Sequence, residues 1–239
     1  MELSVFEDAE ALAAAAADLW LDRLTARPEL VMAVPAGRTP RPTYRRLRTE
    51  TARRGLSFAR AHVFAVDEVR APGPGEGYFW RDVREGLLDW AGIPAANLHP
   101  FDPAAPDPEA MCRAIEARIT ALGGLDLVVL GLGRNGHLAA NEPGSAFDSR
   151  TRPVRLLPET VDYILTDAAV RPGVGDRAVT LGLGTLAEAR EVVVLVSGAA
   201  KADVLHRALT GPVTPDCPAS VLQRWPRAVV LADRAATGG

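Results

Sequence analysis

The feature that most constrains this chain is Leu125–Leu130, an apolar run broken only by Asp126 that passes straight into Gly131-Leu132-Gly133. A run so short and so apolar reads as a strand buried on both faces, and its glycine exit lets the backbone turn sharply. The same grammar recurs. Leu30–Val34 ends in Pro35-Ala36-Gly37, His62–Val66 ends at Asp67-Glu68, and Val192–Val196 ends at Ser197-Gly198. Ala178–Leu181 and Ala228–Leu231 complete the series. Between these runs lie stretches of helical composition: Glu7–Arg27, Pro42–Arg54, Tyr78–Leu88, part of Pro106–Leu122, and about Ala199 to Leu209. Apolar strands alternating with helices predict an α/β fold, Rossmann-like, with a mainly parallel sheet and helices on both faces. The Pro- and Gly-rich Ala71–Gly77 and Phe101–Pro108 are short enough to be loops, and no linker or repeat divides residues 1–239. One domain is expected.

In open parallel sheets, ligands bind beyond the carboxyl ends of the strands. Four exits therefore matter: Pro35–Pro40, Asp67–Arg70, Gly131–Glu142 and Ser197–Lys201. At the first, Gly37, Arg38 and Thr39 precede a helix, an arrangement that suits a phosphate and would equally serve as a strand-to-helix turn capped by Thr39. The second sets Asp67 and Glu68 after an apolar strand, where a desolvated carboxylate can become a general base, although adjacent acids in a loop are commonly just solvated. The third carries Asn135 and His137, with Glu142 five positions after the histidine. A histidine held by a carboxylate can move protons near neutral pH, or can simply be a satisfied structural residue. Gly131-Leu132-Gly133-Arg134-Asn135-Gly136 has the bare glycine spacing of a dinucleotide loop, a weak signal by itself, and a nucleotide cofactor is not expected.

Composition narrows the partners. A net charge of −3 gives no reason to expect a nucleic-acid or membrane surface. Ala11–Ala17 is flanked by acids and lacks a basic leader, so it reads as a helix rather than a signal peptide. Cys112 and Cys217 match neither a disulfide framework nor a zinc site, which fits two free thiols in the cytoplasm and no metal. Of 27 basic residues only Lys201 is a lysine, at the fourth exit. A lysine that survives such a bias sits either by chance or where a compact ammonium is required and a planar guanidinium would not fit. Its place in the first turn of a predicted helix, where the dipole disfavours a cation, points to an anion held nearby.

The stretch 131–144, Gly-Leu-Gly-Arg-Asn-Gly-His-Leu-Ala-Ala-Asn-Glu-Pro-Gly, resembles the signature of the glucosamine-6-phosphate deaminase/isomerase family, whose wider group includes 6-phosphogluconolactonases. Ser149-Arg150-Thr151-Arg152 and Val179–Leu186 are similar to further family segments, and Asn141-Glu142-Pro143 favours the deaminase branch. The resemblance runs from Leu30 to Asp233 and implies a deaminase/ribose-5-phosphate isomerase/CoA-transferase-like fold. It implies a phosphosugar substrate and no cofactor. It gives His137, oriented by Glu142 and aided by Asn135, the task of opening the sugar ring. Asp67 would move a proton from C2 to C1, and Gly37, Arg38, Thr39, Arg152 and Lys201 would hold the phosphate.

Three departures bear on that picture. Arg38 stands where the family commonly has a second glycine, and Asn135 where some members have Asp. The segment Pro158–Val170 offers no cation before Arg171. The C-terminal extension of the allosteric members is missing, which predicts an unregulated monomer or small homo-oligomer. A lactonase on this scaffold would need only His137 as a base for water. A sugar-phosphate sensor would normally carry a helix-turn-helix, and none precedes residue 30.

Overall fold

In the computed structural model, which describes residues 1–70, 76–167 and 175–239, seven strands form the main sheet. They are β1 (Glu2–Phe6), β2 (Val31–Val34), β3 (His62–Ala65), β5 (Leu98–His99), β6 (Leu127–Gly131), β9 (Glu191–Val196) and β10 (Ala228–Asp233). The three others, β4 (Asp67–Val69), β7 (Arg152–Arg155) and β8 (Arg177–Thr180), make a small antiparallel sheet in the order β4-β8-β7. The main sheet runs β1-β10-β9-β6-β2-β3-β5 with every pairing parallel. From β2 the chain builds outward through β3 to β5, then crosses back and builds the other way from β6. The order therefore reverses between β2 and β6. This is where open α/β sheets leave a crevice.

The inner strands explain why their sequences are so apolar. All four residues of β2 and the last five of β9 are buried, as are Leu127–Leu130 of β6. One core gathers these strands with helices packed around them, including Leu12, Trp20 and Leu21 of Ala9–Ala26, Leu47 of Arg41–Arg54 and Ile115 of Pro108–Ala121. Each buried leucine or valine contributes roughly 1.5–3 kcal/mol of transfer free energy. The four exits singled out in the sequence belong to β9, β6, β2 and β3, which are consecutive in the sheet.

The differences from the sequence reading lie outside the inner strands. His62–Val66 and Asp67-Glu68 do not end in a loop: the chain breaks at Val66 and re-enters a second sheet as β4, paired with β8. Ala199–Leu209 is not one helix. Gly198, at φ +92°, sets up a 3-10 turn Ala199–Lys201 ahead of the helix Ala202–Thr210, so Lys201 caps that helix rather than sitting in its first turn. Of the expected loop Ala71–Gly77, residues 71–75 lie outside the described residues, as do residues 168–170 of Pro158–Val170 and Arg171.

Candidate active site

A single cavity opens over the β2–β6 reversal. Its wall includes Gly37, Arg38, Thr39, Asp67, His137 and Lys201, one or more from each of the four exits. Helix Tyr78–Val83 adds Tyr78, Phe79 and Asp82, and helix Pro158–Leu165 adds Thr160, Tyr163 and Ile164.

Strand alternation separates the two adjacent acids. Asp67 faces the cavity, whereas Glu68 is fully buried on the other side. Glu68 accepts the backbone N–H groups of Val69, Phe79 and Trp80 at 3.0, 3.0 and 2.8 Å, which caps the helix Tyr78–Val83. It is an anchor, not a reagent. The Asp67 carboxylate makes no hydrogen bond or ion pair among the described residues. Burial, and secondarily the Glu68 carboxylate, push its pKa up to about 8. A carboxylate left unpaired in a dry wall is a strong proton acceptor once ionised.

His137 is placed by its own loop. Gly133 is required because a Cβ there would lie 2.4 Å from the His137 ring, and the loop closes through Gly133 N–H to the His137 carbonyl at 3.0 Å. Asn135 accepts the His137 N–H at 3.1 Å and donates to Glu142 at 2.7 Å and Glu159 at 3.2 Å. Glu142 Oε2 stands 3.6 Å from His137 Nδ1, an electrostatic contact rather than a closed hydrogen bond. That nitrogen is buried and has no other partner. Burial alone would raise Glu142, but contacts from His137, Thr160 and Asn135 outweigh it and hold the carboxyl below its usual range. Neither Asn135 nor Glu142 lies on the cavity wall; both contact His137 from behind it.

Two expectations for the phosphate need correction. The Gly37 N–H, expected to face an anion, donates to Asp82 at 2.7 Å, and Arg41 clasps the same carboxylate at 2.8 Å while reaching Asp167 at 2.9 Å. Arg152 is off the cavity wall altogether. Its guanidinium donates to Asn141 Oδ1 at 2.9 Å and Ser145 Oγ at 3.1 Å, which pins the loop after His137. The buried Asn141 passes that restraint on to the carbonyls of Leu138 and Leu181 at 2.9 and 2.8 Å. Lys201 does reach the wall, with Nζ donating to the Leu132 carbonyl at 2.6 Å; burial and the charges of Arg134 and Arg38 pull its pKa down to about 8. Arg38 and Thr39 also line the wall, beside the N-terminus of helix Arg41–Arg54, which has no side-chain cap.

The family described as glucosamine-6-phosphate isomerases/6-phosphogluconolactonase matches residues 7–230. The chain belongs to that family. A glucosamine-6-phosphate deaminase of Pseudarthrobacter chlorophenolicus is 40% identical over 99% of this chain and 91% of its own, and one of Cutibacterium acnes is 38% identical over the same shares. Among solved structures, a monomeric glucosamine-6-phosphate deaminase superposes with a TM-score of 0.93 at 30% identity, covering 100% of this chain and 99% of that one. A 6-phosphogluconolactonase from Trypanosoma brucei follows at 0.76 and 25% identity, covering 99% and 97%. Sequence reasoning missed several wall residues of this family member: Asp82, Arg41, Tyr163 and Thr160. A signal existed for one. Tyr78 and Asp82 are four apart on a predicted helix and so share a face.

Proposed function

We propose that this chain is an aldose–ketose isomerising deaminase that converts a 2-amino-2-deoxyhexose 6-phosphate, glucosamine or galactosamine, to a ketose 6-phosphate and ammonia. The observation that carries the reading is an unpaired, proton-hungry Asp67 on the same cavity wall as His137. His137 takes the anomeric hydroxyl proton and hands it to the ring oxygen as the C1–O5 bond breaks. Asp67 removes the C2 proton; the electron pair moves into the C1 carbonyl, and the substrate's ammonium supplies the proton that O1 takes up. Asp67 returns its proton to C1, leaving an iminium at C2. Water adds there, the C–N bond breaks, and ammonium leaves. Atoms balance with one water consumed; His137 and Asp67 carry the ring-opening and C2-to-C1 protons, and the substrate's own ammonium supplies the proton to O1.

Glu142 and Asn135 hold the imidazole, while Arg38, Thr39 and Lys201 bind the phosphate and thereby orient C2 against Asp67. All these groups come from one chain, which supports a monomer or small homo-oligomer working as a cytoplasmic metabolic enzyme on one domain. Among the described residues no helix is long and apolar enough to cross a membrane. The test is ammonia release from a panel of hexosamine 6-phosphates, with a phosphogluconolactone as control. Equal yields of ammonia and ketose phosphate from at least one aldose are expected. Acid from the lactone with no ammonia from any aldose would move the assignment to the lactonase branch.

A further inference from the structure

Three cations converge on one aromatic ring. Arg38 lies 4.4 Å from the Tyr163 centroid, Arg134 5.0 Å and Lys201 5.5 Å. The cations come from the exits of β2, β6 and β9, and the ring from helix Pro158–Leu165. Among the described residues none of the three has a carboxylate partner. Arg38 donates to Thr166 Oγ1 at 3.0 Å, Lys201 to a backbone carbonyl, and Arg134 makes no hydrogen bond. Arg38 and Lys201 line the cavity wall and Arg134 stands at its edge across the Tyr163 ring; Arg41, in that wall, shows the usual arrangement, held between Asp82 and Asp167. Like charges gathered without an acid repel one another, and the ring face offsets only part of that repulsion, at about 0.5–2 kcal/mol per contact. Burial first, and then the charges of Arg134 and Arg38, lower the Lys201 pKa to about 8. A dianion placed among the three would remove the repulsion.

We propose that Arg134 and Tyr163 complete the phosphate seat. Arg38, Arg134 and Lys201 take the dianion between them, and the Tyr163 ring holds the three cations converged to receive it. This inference rests on the phosphosugar reading above and adds two residues that the strand-to-helix loop at Gly37–Thr39 does not point to. It also accounts for Arg38 standing where a glycine is common: the seat is built from long side chains on three strands rather than from loop amides, and the Gly37 amide is already engaged by Asp82. A seat of this kind selects a doubly charged phosphate ester over a neutral sugar.

The test compares Arg134→Gln, Tyr163→Leu and Tyr163→Phe. Inorganic phosphate affinity is measured by titration calorimetry, and steady-state kinetics are run on hexosamine 6-phosphates. Arg134→Gln should weaken inorganic phosphate about tenfold and raise KM in step, with KM moving more than kcat. Tyr163→Leu should do the same, and Tyr163→Phe, which keeps the ring face, should restore the affinity. Arg134 is exposed, so its variant reports on binding even where Tyr163→Leu disturbs the fold. Unchanged phosphate affinity in Arg134→Gln overturns the proposal, as does failure of Tyr163→Phe to rescue a folded Tyr163→Leu. If no hexosamine phosphate turns over but phosphate affinity still falls in Arg134→Gln, the seat stands and the deaminase reading fails.

Discussion

The two ends of the main sheet treat charge in opposite ways. At the amino ends of β2, β6 and β9 a second hollow is lined by Arg23, Arg27, Asp126, Arg190 and Glu191. These five are all paired, while Glu2 and Arg227 on the same wall have no ion pair among the described residues. Asp126 takes Arg27 at 2.6 Å, Arg190 at 3.0 Å and the Val31 N–H at 2.9 Å, while Arg23 and Glu191 form two parallel bonds at 2.6 and 2.9 Å. At the carboxyl ends the same strands deliver three cations with no acid among them, and the neighbouring β3 leads into Asp67, whose side chain makes no hydrogen bond. Arg38 and Arg134 are exposed, but Lys201 is buried and Asp67 half-buried, and a charge taken out of water without a partner is costly. The paired end holds strands together. The unpaired end is where the proposed phosphosugar would supply the missing partners.

The largest test of this contrast is Asp67→Asn. Turnover should fall by about three or more orders of magnitude with inorganic phosphate binding retained, because the amide cannot accept the C2 proton. The same variant should be more stable than the parent. Asp67 is raised from 3.8 to about 8, so the folded state keeps a proton that the unfolded state releases. The sign follows from linkage: the contribution is fully present below about pH 4 and is lost as pH rises to about 8. Asn never ionises, so the melting gap between variant and parent should widen across that window. A variant that is less stable than the parent at pH 8 would mean that Asp67 has a partner in the folded state after all. For the parent, kcat/KM in the free enzyme should climb with pH to a maximum near 8, as Asp67 ionises, and fall beyond it as Lys201 loses its proton.

Asp126→Ala applies the mirror-image test at the other end. It removes an acceptor for two arginines and a strand N–H, so stability should drop by about 2 kcal/mol in chemical denaturation, with kcat and KM left alone. A marked loss of activity without loss of stability would break the division between the two ends.

How much of this was legible in the sequence follows from the range of the interactions. Inner strands and their exits show in local composition, because a strand buried on both faces has no choice but to be apolar. The small sheet does not show in this way. Asp67-Glu68-Val69 and Arg152-Pro153-Val154-Arg155 are polar and Pro-containing, and each becomes a strand only by pairing with β8, far away in the chain. For the same reason Asp67 and Glu68 read as an equivalent pair of acids until β4 is known; the alternation of its side chains then sends one to the cavity and the other to a helix end. Arg152 was misread because a family segment identifies a residue without saying where its side chain goes. Lys201 stood out in composition as the lone lysine of an arginine-rich chain, and its strand exit, not its count, pointed to the cavity wall where it lies.

The need for a lysine there can be tested directly. Lys201→Arg keeps the charge in a site where the side chain is 9% exposed and Nζ already donates to the Leu132 carbonyl. The planar, larger guanidinium cannot reproduce that contact, and KM should rise about tenfold. The alkaline fall of kcat/KM should also flatten, since arginine does not titrate in that range. An unchanged KM would make the lone lysine an accident.

The smallest expected effect concerns backbone strain, which also separates the two ends. Among the described residues Ala139 is the only one other than glycine with positive φ, at +50°, and it lies in the cavity wall between His137 and the Asn141 hub. A left-handed alanine costs on the order of 1 kcal/mol, and glycine relieves it while gaining freedom in the unfolded chain, so the two effects nearly cancel. Ala139→Gly should therefore change stability by less than about 1 kcal/mol. Its signature should be kinetic instead: a looser link between His137 and Glu142 lowers kcat by a few-fold while inorganic phosphate binding stays as it was. Destabilisation well beyond that limit would show that the Ala139 methyl packs against the core more strongly than its φ strains the turn. The carboxyl end would then owe its geometry to packing, as the amino end owes its own to ion pairs.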